Sequence, residues 1–541
     1  MRLPAINTIP RNRLQVLEFK GLNRTQTCAE NEFSDMKNMS SDQYPYIKTR
    51  TGRADFLTLT KCNGFFAKNG LYIVDGTSFK KIEQDGTMSV IGSVEDSKKT
   101  FVGMGAYIVI FPDKKIYNTA DGSFNSLEAS WTQSGAVTFQ NAYLTDSQVD
   151  DSSANVYIKI SSTGIGNNFN KYDGVSISGI TASGLTGLNK TAVIYDKAAD
   201  WILVVGFDIT GTITQSTGSI KIERTVPDMD FVTESENRIW GCSSANHEIY
   251  SCKLGDPYNW NCFEGISTDS YAVTVGTDGD FTGAITHLGY VLFFKEECLH
   301  KLYGSKPANY QVITTTMRGV KKGCEKSLAI VNETLYYVSS SGVCVYQGAL
   351  PADIGKSLGE DHFTEAAAAG YGNKYYLSVT DSKGLKHLYI YDESYGTWVR
   401  EDDLQVERFV YYDHELYYLT KEGTQINKFT EEELPKIITW EAVTGPIKTV
   451  FKSNQNFMTG KKRITKLTLQ IDLHEGSYVD ISVSYDDGLF QPIKTYSSGT
   501  DKSVSVMFIP QRCDHFKIKL HGGGYFALKS MTKYLEAGGD D

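Results

Sequence analysis

The chain is short of the residues and spacings that announce chemistry. Its 541 residues contain no C-x-x-C pair, no H-E-x-x-H and no G-x-x-x-x-G-K-[ST]. Those absences remove the commonest zinc, metalloprotease and phosphate-loop signatures. Cysteine is sparse and odd in number, at nine. Cys242, Cys252 and Cys262 stand ten apart, but the set has no framework spacing. We therefore expect buried thiols made in a reducing cytoplasm. No stretch approaches the roughly 18 consecutive apolar residues of a membrane helix, which predicts no membrane insertion. The start, Met1-Arg2-Leu3-Pro4-Ala5-Ile6-Asn7, lacks an apolar signal-peptide core. Proline is scarce at 12, and helical periodicity is scarcer still. The best helical candidate is Thr364-Glu365-Ala366-Ala367-Ala368-Ala369, ended by Gly370. The formal net charge of -10 is mild for this length and argues against a surface that grips nucleic acid.

What is present is a repeated phrase. One or two polar or Gly residues lead into a short run dense in aromatic and β-branched residues. The copies centre on Tyr72, Tyr107, Trp240, Val291, Tyr336, Tyr376 and Tyr417. Each is followed, after a turn, by a second strand-like run, such as Phe79-Lys80-Lys81-Ile82 or Leu388-Tyr389-Ile390-Tyr391. Successive centres lie 35, 133, 51, 45, 40 and 41 residues apart. Five of the six spacings fall near the ~40–50 residues of a four-stranded propeller blade. Such hairpins cannot bury their apolar faces alone, whereas radial stacking covers them. With 33 Tyr, 26 Phe and 49 Gly, the composition suits short strands joined by tight turns. The reading is all-β: a β-propeller of about seven blades. An ordinary β-sandwich with Tyr-rich strands is the alternative, and the even period argues against it.

The 133-residue gap holds about 90 residues more than a blade needs. Its strand-like pieces, Val156-Tyr157-Ile158-Lys159-Ile160 and Trp201-Ile202-Leu203-Val204-Val205, are too apolar for a linker. They predict a small inserted β domain. After Glu431-Glu432-Glu433-Leu434-Pro435, clean alternation in Ile464–Ile471 and Val479–Ser484 predicts a C-terminal β-sandwich. The expected organisation is a polar N-terminal arm over the first blade (1–55), the first blades (56–130) and the inserted domain (131–226). The remaining blades (227–435) and the sandwich (436–541) follow.

Four local motifs have structural readings. Gly319-Val320-Lys321-Lys322-Gly323-Cys324-Glu325-Lys326-Ser327 resembles a phosphate loop only superficially and reads as a blade-connecting turn. Ser484-Tyr485-Asp486-Asp487-Gly488 matches the start of the sialidase S-x-D-x-G-x-x-W box. Gln491 stands where its Trp should be, so it reads as a hairpin turn. Asp392 with Trp398, and Asp256-Pro257 with Trp260, read as turns returning an aromatic to its blade. Asp and Glu are abundant, so a carboxylate pair for glycoside hydrolysis is not visible as a motif.

Three segments carry a resemblance. The opening, Gly21-Leu22-Asn23 followed by Glu32–Met39, Tyr44–Arg50 and Arg50-Thr51-Gly52, resembles that of tailed-bacteriophage virion proteins. These are the tail hub and nozzle proteins, of the tail tubular protein B and packaged-DNA stabilisation type. A second block runs from Glu236-Asn237-Arg238-Ile239-Trp240-Gly241 to Gly255-Asp256-Pro257-Tyr258-Asn259-Trp260. It continues through Asp269-Ser270 and Phe293-Phe294-Lys295, and resembles the segment where one blade of those proteins ends and the next begins. The end, Pro510 to Gly522, is similar to a C-terminal β domain of phage tail proteins. The inserted domain has no counterpart.

The resemblance implies a homo-oligomeric ring below the portal or connector, with DNA passing transiently through its lumen. It implies partners among its own copies, the portal or connector (adaptor) and other tail proteins. It places the protein in the virion, after synthesis in the host bacterial cytoplasm. It supplies no catalytic, cofactor-binding or metal-binding residues, so the expectation is a structural protein that is not an enzyme and has no cofactor. Two rival expectations are a receptor-binding tail-tip propeller that reads host glycans and, behind it, a glycan-cleaving one.

Overall fold

A computed structural model describes residues 9–83, 86–142, 156–359, 362–452, 458–497 and 502–538. The fold is all-β, and its framework is a β-propeller of four-stranded antiparallel meanders. In chain order, seven such sheets are present among the described residues. Four lie in the compact unit Cys62–Gly319, spanning 62–93, 100–126, 231–274 and 281–316. Three lie in the unit formed by the chain on either side, spanning 329–353, 363–400 and 406–433. Within each unit the first strands of successive sheets face one another, as radial packing requires.

Every repeated phrase falls on the second strand of a sheet. Tyr72 lies in Leu71–Asp75, Trp240 in Arg238–Ser243, Tyr336 in Thr334–Ser339 and Tyr417 in Glu415–Thr420. The polar residues that open the phrases make the hairpin turns. Glu236 and Asn237 have φ of 49° and 60°, and Asp413 and His414 have 49° and 64°. Two consecutive positive φ values twist with the strands they join, which is why such turns dominate two-residue hairpins. Arg238–Ser243 and Thr334–Ser339 are buried along their whole length, because neighbouring sheets cover both faces. The apolar clusters accordingly sit between consecutive sheets. Tyr72, Val74 and Phe79 of the first meet Phe101, Ile108 and Ile110 of the second.

The Ala-rich segment expected to be helical is a strand, Phe363–Tyr371, the first of the sixth sheet. First strands crowd together, and a Cβ added at Gly370 would sit 2.3 Å from the Ile330 carbonyl oxygen. Small side chains meet that steric demand, and tertiary packing overrides the helix propensity of alanine.

The seventh sheet borrows its fourth strand from the far end of the sequence. Thr51–Thr58 pairs antiparallel with Gln425–Glu433, from Gln425 opposite Thr58 to Glu433 opposite Thr51. The preceding residues are not an arm over the first blade. Arg11–Val16 and Ile47–Thr49 pair with Phe526–Ala537, and Phe33–Lys37 pairs with Thr439–Thr444. These strands complete the two sheets of the sandwich, so the sandwich is built from both chain ends rather than from 436–541 alone. Phe19, Leu22, Phe33, Met36 and Met39 explain the difference. Scattered singly among polar residues, they are all buried in one core with Ile464, Leu469 and Phe526.

Between the second and third sheets, the described residues of 129–224 form an eight-stranded sheet around its own core. Val137, Phe139, Ile158, Ile177, Ile202 and Ile222 lie at its centre.

Candidate functional site

Arg50, which carries part of the resemblance, lies with its neighbour Arg53 in a charge cluster. Arg53 reaches Glu401 Oε2 at 2.7 Å and Asp402 Oδ2 at 2.6 Å, while Arg50 reaches Asp402 at 3.3 Å and donates to Asn38 Oδ1 at 2.7 Å. The Arg53 guanidinium also lies over the Phe429 ring at 5.1 Å. Burial works against its charge, but Asp402 and Glu401 outweigh burial and raise its pKa. Both arginines flank the start of the borrowed strand, so the cluster ties that strand to the sixth-to-seventh sheet connection.

The second block does the same for the insertion. Asp256 Oδ2 accepts from Asn259 Nδ2 at 2.6 Å, and Asn259 Oδ1 accepts from the Gly174 N–H at 2.8 Å. The Arg224 guanidinium pairs with Asp173 and lies 5.0 Å from the Tyr258 ring centroid. Trp260 donates to the Pro257 carbonyl at 3.0 Å and fills the core between the second and third sheets.

The other motifs are turns. In Ser484–Gly488, Asp486 and Asp487 take φ of 47° and 57°. Ser484 Oγ donates to the Gly488 carbonyl at 2.6 Å, and Asp486 accepts from the Asp514 and His515 amides. The carboxylates therefore hold a neighbouring loop. In Gly319–Ser327, Ser327 Oγ donates to the Cys324 carbonyl at 2.6 Å and accepts from the Val338 amide at 2.9 Å. Lys321 Nζ donates to the Phe363 carbonyl at 2.6 Å. All nine cysteines are buried, and none is disulfide-bonded. Burial pushes Cys252 and Cys262 up to about 12, so both remain thiols at neutral pH. Among the described residues no group of three His, Cys, Asp or Glu side chains is placed to hold a metal ion.

Sequence reading passed over one pattern. Gly355-Lys356-Ser357-Leu358-Gly359 has the G-x-S-x-G spacing of a nucleophile elbow, which requires a strand-to-helix turn. Here Lys356–Leu358 is a single 3-10 turn, and the Ser357 carbonyl accepts from the Arg24 amide at 2.7 Å. Asp353 and His362 line a cavity of about 470 Å³ together with Gly355, Lys356, Leu358 and Gly359, but Ser357 is not part of its lining. Among the described residues no hydrogen bond joins Ser357 to His362, and Asp353 Oδ1 accepts from the Gly355 amide instead.

A second cavity, of about 230 Å³, brings Glu365 and Glu407 together between the sixth and seventh sheets. Lys421 lies 3.1 Å from Glu365 and 3.5 Å from Glu407, and Lys326 lies 2.5 Å from Glu407. Burial disfavours the Lys421 charge, yet its bonds to both glutamates raise its pKa.

The third cavity, of about 270 Å³, opens where the insertion meets the third sheet. Lys190, Tyr195, Asn261, Phe263 and Glu264 line it. Tyr195 donates to the Glu264 carboxylate, and burial together with that bond raises the phenol pKa. Its residues come from two distant segments and show no periodicity. The exposed aromatic at Phe263 becomes informative only once its surroundings are known.

No protein-family model matches the chain, and no curated protein matches it. Solved structures resemble it distantly. The computationally designed Ika8 protein is 12% identical, covers 70% of this chain and all of its own, and has a TM-score of 0.37. BamB from Moraxella catarrhalis is 10% identical over 71% of this chain and 98% of its own, with a TM-score of 0.34. The phage phi92 endosialidase is 10% identical over 78% of this chain and 77% of its own, with a TM-score of 0.26. Likenesses this distant decide nothing about function, and the propeller rests on the sheets themselves.

Proposed function

We propose that this chain is a non-enzymatic virion protein of a tailed phage, forming a tail hub or nozzle ring below the portal or connector. Its partners would be copies of itself, the portal or connector and other tail proteins, with DNA passing through the ring. One observation supports this reading most. In the segments that carry the resemblance, Arg50–Gly52 and Gly255–Trp260, the buried Arg50, Asn259 and Trp260 make contacts that join strands and modules, and none of these segments lines a cavity described above. A protein under mechanical load needs such ties. A mild net charge of -10 suits a lumen past which a polyanion must slide.

Particles of the phage that encodes this chain provide the test. Mass spectrometry of purified virions should find the protein at a fixed multiple per particle, and gold-labelled antibody should mark the tail. Recovery only from the soluble fraction of infected cells would overturn the proposal.

A further inference from the structure

We propose that the cavity between the insertion and the third sheet binds a saccharide, stacked on Phe263 and hydrogen-bonded by Glu264. The inference stands apart from the ring, because it concerns a surface module and needs no lumen.

Phe263 keeps 53% of its surface exposed at the cavity mouth, although rings of its size are ordinarily covered. Tyr195 lines the same cavity, and the Tyr157 ring lies 5.1 Å and the Tyr172 ring 6.5 Å from the Tyr195 ring, both edge-on. Tyr172 is itself 50% exposed and has φ of 71°, in the left-handed region. An aromatic residue there carries strain of about 1 kcal/mol or more, which persists where the surroundings enforce it. Those surroundings are fixed. The Tyr172 amide donates to the Ile194 carbonyl at 2.6 Å, and Cys262 Sγ approaches the Tyr172 carbonyl at 3.9 Å.

The polar side of the cavity is equally pinned. Asp269 Oδ2 accepts from the amides of Glu264, Gly265 and Ile266 at 2.7, 2.7 and 3.1 Å, which fixes the loop that presents the Glu264 carboxylate. Asn261 Nδ2 donates to Thr225 Oγ1 at 3.1 Å. Lys190 supplies a cation at the lining. An aromatic face beside a carboxylate, an amide and an ammonium group matches a pyranose, which has one C–H face and a rim of hydroxyls that donate and accept. A nucleotide or phosphate would meet the Glu264 charge. The volume of about 270 Å³ falls just below the roughly 300–1,000 Å³ of ligand pockets, which suits a single sugar ring.

The full-length protein should be screened on an array of neutral and acidic bacterial-surface oligosaccharides. The strongest hit is then titrated calorimetrically against wild type, F263A and E264Q. Phe263 is exposed and Glu264 lies on the surface, so both variants should keep the wild-type circular dichroism and melting temperature. We expect at least tenfold weaker binding for each, with no sugar released during the titration. Absence of any hit at millimolar saccharide would overturn the proposal, as would hits whose affinity both variants retain. Virion incorporation of F263A should be unchanged, so failure here is distinguishable from failure of the ring reading.

Discussion

The insertion and the terminal sandwich are both β modules attached to a propeller, yet they are made in opposite ways. The insertion is continuous in sequence and encloses its own core. The sandwich is assembled from both chain ends, and its core merges with that of the fifth to seventh sheets. A continuous module can be gained or lost without rewriting its host. A module closed by distant strands couples both chain ends to the fold of its unit, because long loops must close before those pairings form.

Removing residues 1–40 is the harshest way to break this contrast. It deletes Phe19, Leu22, Phe33, Met36 and Met39 from the core. At roughly 1.5–3 kcal/mol per buried side chain the loss is on the order of 10 kcal/mol, comparable with the whole stability of a domain. Such a truncation should bind a hydrophobic dye and lose its cooperative melt, whereas a polar arm would leave the melt unchanged. R53A is gentler. It leaves Glu401 and Asp402 buried with one arginine between them, which should cost about 3–5 kcal/mol in denaturant unfolding.

Acid offers a third probe, confined to the unit that carries the insertion. His300 is fully buried, bonded to Thr277 and Thr314 at 2.9 Å, and burial with Lys295 lowers its pKa to about 4. A histidine lowered in the folded state binds its proton preferentially after unfolding. Stability should therefore fall as pH drops from 6.5 towards 4, by about 3 kcal/mol at most. H300Q should flatten that part of the pH profile in chemical denaturation. The smallest effect belongs to deletion of residues 129–224 with a short linker. The four propeller sheets of that unit should stay folded, with thermal unfolding shifted by only a few degrees.

The repeated hairpins were legible because their turns and their aromatic strands are both local. Glu236-Asn237 and Asp413-His414 encode the turn, and the following run encodes a strand buried on both faces. The Ala-rich strand was not legible, since the neighbour that demands small residues, Ile330, lies far along the chain. Nor were the N-terminal strands, whose partners lie some 400–525 residues away at Thr439–Thr444 and Phe526–Ala537. The saccharide cavity draws on Tyr195 and Glu264, joined by a hydrogen bond across 69 residues that no spacing rule anticipates.

Native mass spectrometry of the full-length chain, across micromolar concentrations and with electron microscopy of the same sample, tests the central claim most directly. The account predicts a single closed cyclic oligomer with an open lumen wide enough for duplex DNA. A monomer at every concentration, still solitary when the portal or connector of the same phage is added, would contradict it.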